Sequence, residues 1–210
     1  MRMENTTPYD AAIEDLRRRY PAAAPVLDAF APRAAGQAVL AGRLEAEMHE
    51  AGGPGFPVDP ERLRGGAPLL ADADLTDLGP WLAESARAML PAAGARLPLA
   101  GTARCMEAAL ESGAIDLPGL TRALLDQNAA PLEAAARALG APEAELTFLV
   151  RCLAAPVLAA VAKRHAAALA KAQWAQGHCP VCGSQPVLAT LARREELGLE
   201  HLVGGGGGKM

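Results

Sequence analysis

Apolar residues recur at helical spacing along most of this chain, and prolines and glycines cut the pattern into segments. Thr7-Pro8 offers an N-cap and an N1 proline for a first helix, with Ala11, Ile13 and Leu16 on its apolar side. Arg17, Arg18 and Arg19 end it where cations suit the helix dipole, and are expected to be a solvated helix end. Tyr20-Pro21 breaks the pattern. A longer helix is predicted over 22–51, with apolar positions Val26, Leu27, Phe30, Val39, Leu40, Leu44 and Met48. The stretch 52–75 carries Pro54, Pro57, Pro60 and Pro68, which predicts an ordered loop with one short turn over 60–64. The next helix is predicted over 80–93, with Trp81, Ala88 and Met89 facing inwards. Three more follow at 102–113, 117–128 and 130–139, divided by Gly113, Pro118 and Gly140. Ala141-Pro142-Glu143 opens a last long helix reaching about residue 176, with a kink expected at Pro156.

After Gly177 the alternation changes. Residues 185–191 and 196–203 are candidate strands of a short hairpin, followed by five glycines at 204–208. The predicted fold class is therefore mainly α. An all-helical N-terminal bundle, 1–176, is followed by a small metal-knuckle module of rubredoxin-like or zinc-ribbon-like kind, 177–210, that looks truncated. The two parts are expected to share few contacts beyond Trp174.

Composition narrows the function classes. Hydrophobic residues are 51% of the chain but aromatics only 3%, so the core must be built from Ala, Leu and Val, which suits closely packed helices. A net charge of −4 and the scarcity of stacking aromatics argue against nucleic-acid binding. The apolar run 146–162 is interrupted by Arg151 and Pro156 and falls short of the ~20 apolar residues a span needs. It is expected to be a core helix, with no membrane span. The N-terminus carries Glu4, Asp10, Glu14 and Asp15 and has no apolar stretch of the signal-peptide kind, and no disulfide framework is visible, so a cytoplasmic location is expected. Cys105 and Cys152 fall within helical patterns and are expected to be buried. No Ser/His/Asp arrangement, paired-carboxylate motif or phosphate loop occurs, so the chain is not expected to be an enzyme.

The chemistry concentrates in His178-Cys179-Pro180-Val181-Cys182-Gly183. Two intervening residues let both sulfurs of Cys179 and Cys182 turn towards one point about 2.3 Å from each, as tetrahedral zinc or iron requires. Gly183 can take φ > 0 and let backbone N–H groups point at the sulfurs. His178 and His201 are neighbouring imidazoles, and the simpler reading leaves both outside the ligand set. His165 and His49 are expected at helix ends, as surface groups complementing the dipole.

From Trp174 through Gly177-His178-Cys179-Pro180-Val181-Cys182-Gly183-Ser184-Gln185-Pro186 to Leu188, Gly198 and Leu202, the chain resembles the formate dehydrogenase accessory protein (FdhE) family. The resemblance implies a helical body carrying rubredoxin-like modules and iron binding. It also implies a cytoplasmic role in maturing formate dehydrogenase through contact with its catalytic subunit. A homodimer is compatible with it. The family pattern places a further cysteine pair at positions 204 and 207, which are glycines here. Two alternatives remain open. One is a zinc-ribbon interaction module unrelated to formate dehydrogenase, and the other is a thiol-disulfide oxidoreductase.

Overall fold

The computed structural model of the chain describes residues 8–96, 99–172 and 174–185. These are mainly helical: α1 (Pro8–Arg19), α2 (Ala24–Glu50), α3 (Pro60–Arg64), α4 (Gly79–Arg96), α5 (Ala100–Glu111), α6 (Leu117–Leu125), α7 (Ala129–Leu139), α8 (Glu143–Arg164) and α9 (Ala166–Lys171), with no strand among the described residues. Short 3₁₀ turns at Pro21–Ala23 and Thr76–Leu78 lead into α2 and α4. The caps follow local chemistry. Asp59, Asp116 and Asn128 accept backbone N–H bonds at the starts of α3, α6 and α7, and Gly140 closes α7 at φ 63°.

The bundle is organised around α8, which packs against α2, α4, α6 and α7. Leu146, Leu149, Val150, Leu153, Val157 and Val161 are fully buried there. By length and hydropathy α8 could also cross a membrane; here just over half of its most apolar window is buried inside the bundle. The helix runs on through Pro156. A proline at this position has no N–H to give to Cys152 O four residues back. Gln37 of α2 replaces it, donating from Nε2 at 2.8 Å. Ser85 of α4, wholly buried, donates to the next carbonyl, Leu153 O, at 2.7 Å.

Several expectations need correction. The last helix does not reach residue 176. It ends at Arg164, turns at His165 and resumes as α9 only to Lys171. His165 is half-buried against Phe56 rather than a surface group, with its Nε2 atom enclosed, and burial lowers its pKa. Ala88 is exposed, because the inward stripe of α4 is Leu82, Ser85, Ala86, Met89 and Leu90. Cys105 is exposed for the same reason, as α5 buries Thr102, Ala103, Met106 and Ala109. In α2 the buried residues are Leu40, Ala41, Leu44 and Met48, whereas Val26 and Val39 lie about 60% exposed. The segment between α2 and α4 is anchored by Phe56, Leu63, Leu69, Leu70 and Leu75, all in the core.

Candidate metal centre

Residues 174–185 wrap the two thiols into a tight loop. Gly183 N–H donates to Cys179 O at 2.9 Å and Cys179 N–H to Ser184 O at 3.0 Å. Gly183 sits at φ 74°, the left-handed geometry its position required. A Cβ there would also lie 3.0 Å from Pro68 Cγ. Trp174 donates from Nε1 to His178 O at 2.8 Å and meets the His178 ring edge-on at 5.0 Å.

The two sulfurs, both half-buried, push each other's proton affinity in opposite directions. The Cys182 thiol donates to the Cys179 sulfur, and the backbone N–H groups of Val181 and Cys182 add to it, with His178 nearby. Together they bring the Cys179 thiol down to about 5, against an opposing push from burial. Donating to Cys179, together with burial, drives Cys182 up, although Ser184, with Oγ 3.1 Å from the Cys182 sulfur, pulls the other way. A thiolate collared by backbone N–H groups beside a second thiol is a donor set that fits soft or borderline metals such as zinc and iron. Cys179 and Cys182 are the residues that would hold the ion, supplying two of four tetrahedral positions. No group of three or more His, Cys, Asp or Glu residues gathers among the described residues.

His178 is tied through its ring to the loop between α3 and α4. Its Nε2–H donates to Gly66 O, 3.2 Å away. Cys152 is buried in α8, where desolvation raises its pKa, and Cys105 lies on the outer face of α5. His201, the glycines at 204–208 and the candidate strand 196–203 lie outside the described residues, as does all but Gln185 of the candidate strand 185–191.

The loop is also joined to the helical body well beyond Trp174, which corrects the sequence expectation. Leu69 N–H donates to Pro180 O at 2.8 Å and Leu70 N–H to Val181 O at 2.9 Å. Val181, 3% exposed, belongs to the same hydrophobic core as α8. The signal for this was faint: a lone aliphatic between the cysteines, and the pair Leu69-Leu70 within a loop rich in proline and glycine.

Fold and site together define a mainly α-helical protein carrying a docked Cys-x-x-Cys knuckle. No family model, curated protein or solved structure matches the chain.

Proposed function

We propose that this chain is an accessory protein for the cytoplasmic maturation of formate dehydrogenase. It acts by binding the catalytic subunit, holds iron or zinc at Cys179 and Cys182, and has no turnover of its own. The observation that supports this reading is the knuckle itself. Of the stretch that resembles the family, 174–202, the described part, 174–185, folds around two cysteine sulfurs against a helical scaffold. The scaffold offers the client a surface, and the thiolates provide a metal-dependent end. The test is a pull-down from a host expressing formate dehydrogenase, with enzyme activity assayed in a deletion strain. Co-purification of the catalytic subunit and loss of activity are expected. Full activity in the deletion strain, with no subunit captured, overturns the reading.

A second reading draws on the depressed Cys179 thiol. A thiolate beside a protonated partner is also what thiol–disulfide exchange needs. Cys179 would attack a substrate disulfide and expel one thiolate. Cys182, on losing its proton, would then displace the second sulfur, leaving the pair oxidised and the substrate reduced by two electrons. Disulfide reduction by the metal-free protein, abolished by Cys179→Ser, distinguishes this chemistry from a purely structural knuckle.

A further inference from the structure

We propose that metal occupancy at Cys179 and Cys182 is transmitted to the helical body through the 66–70 loop, so that knuckle and helices form one cooperative unit. This rests on the metal reading above and adds a mode of regulation to it.

The two residues between the cysteines are the ones that bind the body. Pro180 and Val181 present their carbonyls to the N–H groups of Leu69 and Leu70, at 2.8 and 2.9 Å. The Val181 side chain enters the core that contains Leu70, itself 1% exposed. The Leu70 peptide is gripped from both ends. Its N–H goes to Val181, and its carbonyl accepts from Arg122 Nη2 of α6 at 2.9 Å. The same guanidinium nitrogen donates to Ala73 O. From a sulfur to α6 the path is one turn, one peptide and one guanidinium. On its flanks His178 bonds to Gly66 O, and Gly183 rests against Pro68.

Metal-free, the 179–184 turn is closed by two backbone bonds. Neutral hydrogen bonds contribute little net stability each. An ion held by both sulfurs fixes the turn that presents those two carbonyls and Val181. Binding energy available only to the ordered turn then stabilises everything that forms only when the turn is docked.

The experiment uses the full chain and Zn(II) as the probe, with bound zinc counted by native mass spectrometry. Helix melting is followed by far-UV circular dichroism. With zinc about a hundredfold above its Kd, the helical midpoint should rise by roughly 5–10 °C. Amide exchange at Leu69 and Leu70 should slow by up to about a hundredfold. Val181→Ala keeps both sulfurs, so it should bind zinc yet lose at least half of the rise. Zinc bound with the helical midpoint and the two amides unchanged overturns the proposal and leaves the metal reading standing. A full rise in Val181→Ala also overturns it. Failure of the wild-type chain to bind zinc overturns both. Should Val181→Ala not fold, the wild-type exchange rates at Leu69 and Leu70 decide alone.

Discussion

Ten residues of α8 are buried, and its backbone bonds run mostly within the helix itself. In 174–185 only Val181 is buried, and key backbone bonds reach across to a loop more than a hundred residues earlier in the chain. The helix is held by apolar surface removed from water, each large aliphatic contributing about 1.5–3 kcal/mol. The knuckle has one such side chain and must draw on hydrogen bonds and whatever its sulfurs bind. A core element tolerates any solution condition that preserves the hydrophobic effect, while the knuckle answers to pH, oxidant and metal.

The largest expected effect lies on the α8 side. Leu153→Ala removes a side chain 1% exposed at the centre of the bundle and should cost about 2–5 kcal/mol, read from the urea midpoint. A loss below about 1 kcal/mol would mean that α8 is not the organising helix. The knuckle counterpart is Gly183→Ala. It forces a side chain into the left-handed region and against Pro68, with an expected cost of about 1–3 kcal/mol. If the 66–70 loop is undisturbed in that variant, by amide chemical shifts at Leu69 and Leu70, the docking described above is weaker than the geometry indicates.

These two sites also mark what sequence alone could supply. The helices of the body, the turn at 60–64 and the left-handed Gly183 follow from punctuation by Pro and Gly and from capping chemistry, all local rules. Cys179 and Cys182 announce themselves by spacing. What stayed hidden depends on partners distant in the chain. Ala88, Cys105 and Val39 sit in apolar-looking stretches, and only the placement of neighbouring helices turns them outwards. His165 could not be seen as half-buried without Phe56, which arrives from the loop after α2. The docking of Val181 required Leu69 and Leu70, and no periodicity links residues so far apart.

A smaller effect sharpens the comparison. Gln37→Ala strands the Cys152 carbonyl that Pro156 leaves without a partner and should cost about 1 kcal/mol, measured by chemical denaturation. Combined with Pro156→Ala, which restores an in-helix N–H, the loss attributable to Gln37 should shrink.

The subtlest effect is a pH dependence confined to the knuckle. Cys179 ionises far below its unfolded value, so in metal-free protein its stabilising contribution is complete only above about pH 9 and fades as pH falls towards 5. Cys182 is shifted upwards, so above pH 9 the unfolded chain releases a proton that the folded one keeps, and stability declines again. The metal-free wild type should therefore show a broad maximum near pH 9 that disappears in a Cys179→Ser, Cys182→Ser double variant. A Cys179 titration followed by thiolate absorbance, with its midpoint near 9 rather than about 5, would contradict the lowering of this thiol by its neighbours.

The bond from Gln37 to Cys152 has one more effect, on helix registration. α2 and α8 meet mainly through aliphatic side chains, whose contacts carry little directional information about how far one helix is slid along the other. Pro156 leaves a single carbonyl on α8 without its helical donor, and Gln37 is placed to find it. The proline thus acts as a keyhole: it marks one position along α8, and Gln37 of α2 locks there, as Arg164 locks to Met48 O at the far end of the same pair.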